Sequence, residues 1–175
     1  MIINNSGGPP SGELENATTE DLLLAFNLHL ISFHKILGVL LGGIKNKESG
    51  RIINIISTSV KQPLNGLGVS NTIRGAVANW AKTLANELGP YNITVNNILP
   101  GATNTGRLKE IINNKAQKLN LKESSIEKQM ADQVPLKRIA EPIEVANAVV
   151  FLASNKASYI SGINLPVDGG RTKSL

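Results

Sequence analysis

Arg51-Ile52-Ile53-Asn54-Ile55-Ile56-Ser57 is the stretch that decides the fold. Its apolar residues fall at consecutive rather than alternating positions, so the strand it forms must be covered on both faces. Such strands are typically parallel and lie between layers of helix. Downstream, Val69, Ile73, Val77, Trp80, Ala81, Leu84 and Leu88 recur mostly at intervals of three and four. That spacing predicts a helix from about Gly68 to Leu88, stopped by Gly89-Pro90. Asn92 to Leu99 reads as another strand, ended by Pro100-Gly101. Two polar helical stretches follow, Arg107 to Leu119 and Ser124 to Gln133. A more apolar helix from Glu141 to Ala153, with Pro142 in its first turn, leads to a last strand at Ile163 to Val167.

Upstream, Thr18 stands three residues before Asp21 at the head of a long apolar stretch. This predicts a capped, largely buried helix from about Leu22 to Lys45, with Gly50 closing the connection. Ile2-Ile3, followed by Asn4-Asn5-Ser6-Gly7-Gly8-Pro9-Pro10, reads as a strand end entering a turn. Strand and helix alternate throughout, the order of a doubly wound α/β sheet. The 175 residues, 41% of them hydrophobic, suffice for one core, so residues 1–175 are expected to form a single domain.

Composition narrows the function. With no cysteine and only His29 and His34, neither disulfides nor a zinc centre is expected. The net charge of +5 gathers between Thr105 and Arg138, where no aromatic residue interleaves. That pattern is a solvated helical face, and no nucleic-acid motif accompanies it. No basic segment precedes a cleavable apolar run, and the stretch from Leu22 to Ile44 is interrupted by Asn27, His29, Ser32, His34 and Lys35. The expectation is a cytoplasmic chain without a membrane span.

In an open parallel sheet, ligands bind beyond the carboxyl ends of the strands. Here those ends carry Asn4-Asn5-Ser6-Gly7, Ser57-Thr58-Ser59 and Pro100-Gly101-Ala102-Thr103-Asn104-Thr105, all small or polar. Such residues suit close backbone approach to a ligand. Gly66-Leu67-Gly68 lacks a third glycine and does not directly follow a strand, so it is not a dinucleotide fingerprint.

The motifs occur in a telling order: Asn4-Asn-Ser-Gly, the Ser57 strand end, the Asn86-Glu-Leu-Gly-Pro-Tyr-Asn-Ile-Thr-Val-Asn run, Pro100-Gly-x-x-x-Thr, and Ser158-Tyr-Ile-Ser-Gly followed by Val167-Asp-Gly-Gly. Together they resemble the short-chain dehydrogenase/reductases. Pro135-Leu-Lys-Arg-Ile-Ala-Glu-Pro-Ile-Glu-Val-Ala is similar to the branch of β-ketoacyl carrier-protein reductases. The resemblance covers essentially the whole chain and implies a Rossmann-like sheet. It also implies a partial one: the first three strands and the glycine-rich phosphate loop would precede Met1, leaving the first strand here as an exposed edge.

By the family's spacing, Ser57 matches the catalytic serine and Asn27 the asparagine on the preceding helix. The tyrosine position, thirteen residues after Ser57, holds Ser70, and the lysine position, four further on, holds Arg74. Serine is far less acidic than a tyrosine of pKa about 10. Arginine keeps the cation but does not readily give up a proton. Tyr91 and Tyr159 fall where the family's pattern is structural. The resemblance implies NAD or NADP as cofactor, with Asn5, Ser6, Gly7, Arg74, Pro100, Gly101, Thr103 and Thr105 lining it. It implies a small-molecule carbonyl or alcohol as substrate, acyl thioesters among them, handled under helices at 105–134 acting as a lid.

Two activities remain open on these residues. One is hydride-transfer oxidoreduction, impaired in a chain lacking the phosphate loop. The other is a catalytically silent binding or assembly subunit, since the family's long helices are its usual surfaces in homodimers and homotetramers. Leu30, Phe33 and Trp80 are the residues expected to stand exposed on such a surface.

Overall fold

The computed structural model describes residues 1–174. Four strands form one parallel sheet in chain order: β1 (Ile2–Asn4), β2 (Gly50–Ile55), β3 (Ile93–Pro100) and β4 (Asn164–Val167). The helices are α1 (Thr19–Phe26), α2 (Ser32–Lys45), α3 (Gly68–Leu88), α4 (Gly106–Leu119), α5 (Glu123–Asp132) and α6 (Pro142–Ala153). A π turn, Asn27–Ile31, joins α1 to α2 without interruption.

Alternation along the strands sends successive residues to opposite faces. Ile52 and Val95 pack with Leu37, Ala81, Leu84 and Leu88 of α2 and α3. Ile53 and Ile98 pack with Leu152 of α6 on the other face. Both faces of β2 and β3 are therefore covered, and neither strand shows apolar-polar alternation because neither has a wet side.

The α2/α3 face is layered. Ile2, Ile52 and Val95 form one apolar layer and Ile56 and Leu99 another. Between them a row of asparagines crosses the sheet in register: Asn4, Asn54, Asn97 and Asn164. Asn4 donates to Asn54 Oδ1, Asn54 to Asn97 Oδ1, and Asn97 to Asn164 Oδ1, each at 2.8 Å. A buried amide without a partner costs about 1–3 kcal/mol, so a shift of one residue would be penalised along the whole row.

Thr18 caps α1 by accepting from the Asp21 amide, while the Asp21 carboxylate accepts from the Thr18 amide, as the sequence predicts. The expectation that the helix is largely buried is wrong. It buries one stripe, Ala25, His29, Phe33 and Leu37, and leaves Leu23, Leu24, Leu28, Ile36, Val39 and Leu40 exposed. Of the residues expected to be exposed, Phe33 is buried in the core and Leu30 and Trp80 are half-buried. Apolar residues encircle this helix, and composition cannot say which of them face the sheet. The run Thr19–Lys45 is also long and apolar enough to cross a bilayer, although its inner stripe packs against the sheet and α3.

Candidate active site

The three strand-end segments meet along the carboxyl edge of the sheet. Arg74 is the group that joins two of them. The N-cap of α3 is Leu67, so Ser70 lies inside the first turn and not at its cap, and Arg74 follows one turn later. Both are buried, Arg74 to 6% exposure. The Arg74 guanidinium donates through Nη1 to the Ile55 carbonyl at the end of β2 (3.0 Å) and through Nη2 to the Gly7 carbonyl after β1 (3.3 Å). Its Nε has no partner among the described residues. Burial pulls the guanidinium down to about 10, which leaves it charged at neutral pH.

Ser57, two residues past Ile55, opens a 3₁₀ turn, and its Oγ accepts from the Ser59 amide at 3.1 Å. One of its two lone pairs is thereby occupied, and its proton is free to be donated elsewhere. Asn27 is exposed and begins the π turn; its carbonyl accepts from the Ser32 amide. Asn5 is exposed, and Ser6 is half-buried between it and Gly7.

The third segment is fixed by its own backbone. Gly101 follows Pro100 at the end of β3, and a Cβ there would lie 2.8 Å from Asp168 Cα, so only glycine permits this approach. Thr103 donates to the Gly101 carbonyl at 3.1 Å. Thr105 caps α4 by accepting from the Leu108 amide at 3.3 Å. From α4, Arg107 reaches back to the segment after β1 and donates to the Pro9 carbonyl at 2.8 Å. Tyr91 and Tyr159 lie just before β3 and β4, at the opposite edge of the sheet.

In the sequence His29 is only one of two histidines, too few for a zinc centre, and it carries no role there. It is fully buried, with Nδ1 2.5 Å from Ser6 Oγ, so it meets the same turn that Arg74 holds. The signal available was its place two residues after Asn27, in a stripe otherwise made of apolar residues. His34, by contrast, is exposed and accepts from Trp80 Nε1 at 3.4 Å.

Residues 1–172 match the family described as enoyl-(acyl carrier protein) reductase. Over 175 residues the chain is 32% identical to the NADPH-dependent reductase BacG of Bacillus subtilis, covering 100% of this chain and 68% of that protein. The chain belongs to the short-chain dehydrogenase/reductase family. Among other relatives is the 7alpha-hydroxysteroid dehydrogenase of Escherichia coli, 29% identical, with 100% of this chain and 64% of that enzyme covered. Among solved structures, L-sorbose reductase from Gluconobacter frateurii, complexed with NADPH and L-sorbose, superposes with a TM-score of 0.92 at 31% identity, over 99% of this chain and 66% of that one. The short-chain dehydrogenase/reductase fold is thus present in part, and the chain spans about two thirds of the length of the relatives it matches.

Proposed function

We propose that this chain is the substrate-handling part of an NADPH-dependent reductase that acts on a small-molecule carbonyl. The observation that carries the proposal is Arg74: a buried cation at the family's lysine position, bonded at once to the β1 turn and to the end of β2. The residues present fit the nicotinamide end of such a cofactor. Gly7 leaves open space where a side chain would stand, next to Ser6 and to the Arg74 guanidinium that donates to its carbonyl, and Thr103 and Thr105 follow the end of β3 on the same edge of the sheet. A bound nicotinamide would supply the hydride. Arg74 would fix its ribose, and Pro100 and Gly101 would give it backbone contact.

The chain's own residues then have separable tasks. Ser57 donates its free proton to the substrate oxygen and polarises the carbonyl. Ser70 sits where the family places its acid but is too weak an acid to act as one, so it holds a water from which the alkoxide left by hydride addition takes its proton, the water being reprotonated from bulk solvent. Asn27, exposed at the π turn, would take up that water from solvent. Helices α4 and α5 close over the substrate, with Arg107 as their tie to the β1 turn. NADPH rather than NADH is favoured by the cofactors named for BacG and for the L-sorbose reductase complex.

The test is NADPH oxidation by the purified chain against a panel containing a β-ketoacyl thioester, an oxosteroid, a ketose and an enoyl thioester. Turnover with a ketone, falling about 10²-fold or more in Ser57→Ala, supports the reading. Turnover with the enoyl thioester alone would replace carbonyl reduction with double-bond reduction.

A second reading, a silent assembly subunit, is favoured by one observation. The exposed apolar stripe Leu23, Leu24, Leu28, Ile36, Val39 and Leu40 is of the kind that self-association covers. Light scattering that gives a homodimer or homotetramer, split by Val39→Glu, together with no turnover on the whole panel, would favour it over the first.

A further inference from the structure

We infer that His29 is a positioning residue of this site: as a neutral imidazole it holds Ser6, and with Arg74 it clamps the Ser6–Gly7 turn from two sides. His29 Nδ1 meets Ser6 Oγ at 2.5 Å, and Arg74 Nη2 donates to the very next carbonyl, that of Gly7. One grip comes from the long helix and the other from α3. Whatever binds over Gly7 therefore meets a turn that neither helix can move alone.

The helix is built to bring His29 there. Ala25, His29, Phe33 and Leu37 are each four residues apart and all buried. In a regular α-helix of 3.6 residues per turn, positions four apart drift by about 40° per step, so four of them would wind off one face. The π turn Asn27–Ile31 widens the coil at that point and brings the stripe back into line. It places His29 inward and Asn27 outward on the same turn.

Magnitudes decide what His29 does there. Burial is the main cause, and the adjoining Arg74 charge the second, of a His29 pKa lowered to about 4. At pH 7 only about one ring in 10³ carries the second proton, which excludes an imidazolium acid and leaves a neutral ring with one N–H. Arg74 is the charged group that bears on it, and no carboxylate among the described residues offsets that charge. A neutral ring fits a hydrogen-bonding role. Mere filling of the core does not account for it, because leucine would occupy the stripe without leaving a buried ring nitrogen, Nε2, unpartnered among the described residues.

The consequence for catalysis rests on the proposed reductase reading, and the test separates the two. Histidine ring ¹⁵N spectra of the 175-residue chain give one signal set for His29 and one for His34, assigned by loss in His29→Asn. Ser6→Ala should shift the Nδ1 resonance of His29, leave that of His34 in place, and His29 should stay neutral at pH 6. Unmoved His29 resonances, or a ring that titrates near 6.5, would overturn the clamp whether or not the chain turns over. Where turnover is found, His29→Leu should raise KM for NADPH about tenfold with kcat less affected, and His29→Asn, whose amide can reach Ser6 from the Nδ1 position, should restore most of it. Equal KM in the wild type and both variants would overturn the positioning role while leaving the reductase reading intact.

Discussion

The β1 turn, β2 and α3, here called the wall, and α4 and α5, the proposed lid, are built in opposite ways. The wall buries polar groups and gives them distant partners: Asn4 with Asn54, Ser6 with His29, Arg74 with Gly7 and Ile55. Apart from Arg107, which reaches the Pro9 carbonyl, the lid keeps its charges at the surface, with short-range pairs such as Lys128 with Asp132, and its buried cluster is Leu108, Ile112, Ala116 and Ile126. A wall held by long-range polar pairing must form as one piece with the sheet. A lid with a private core can loosen without it.

The most damaging change should be in the wall. Asn54→Ala orphans the Asn4 amide nitrogen and the Asn97 amide oxygen together, at an expected cost of about 2–5 kcal/mol in urea unfolding. A loss below about 1 kcal/mol would mean that the row contributes little to specifying the register. In the lid, Ile126→Ala should cost about 2 kcal/mol, near the low end for such truncations because a small cluster collapses readily. Its hydrogen exchange should quicken in α4 and α5 and stay slow in β2 and β3. Equal acceleration in the strands would erase the distinction between the two regions.

Acid should find the wall first. Because the His29 pKa is lowered to about 4 from 6.5, the unfolded chain takes up that proton before the folded one does. Stability is fully present above pH 6.5 and declines as pH falls toward 4. His29→Asn should flatten the part of the decline that lies in this window, as read from urea midpoints at each pH. The smallest effect belongs to the lid's margin, where Arg138 holds Glu144 down at about 2 from the surface. Arg138→Ala should shift Tm by less than about 4 °C.

Much of this was legible before the structure. Helix α3 runs from Gly68 to Leu88 as its periodicity predicts, and Pro142 stands in the first turn of α6 because its missing N–H costs nothing there. The strand ends were legible because small and polar residues follow each β-branched run. The inner face of the long helix was not, since Leu23, Leu28 and Ile36 look like Phe33 and Leu37 by composition. Nor was His29, because a lone histidine in an apolar stripe is indistinguishable from a rim residue until the π turn rotates it inward. The asparagine row left a faint signal: four asparagines stood in or beside strands that otherwise favour branched residues.

By itself, then, the chain determined its alternating elements, their boundaries to within about three residues and the family to which it belongs, because these rest on periodicity, caps and turn residues that act within a few positions. Tertiary structure alone decided that Asn4 meets Asn54, that Arg74 bridges two strand ends, and that His29 grips Ser6. Those pairings join residues from 19 to 67 positions apart, and only packing of the helices on the sheet brings them within reach.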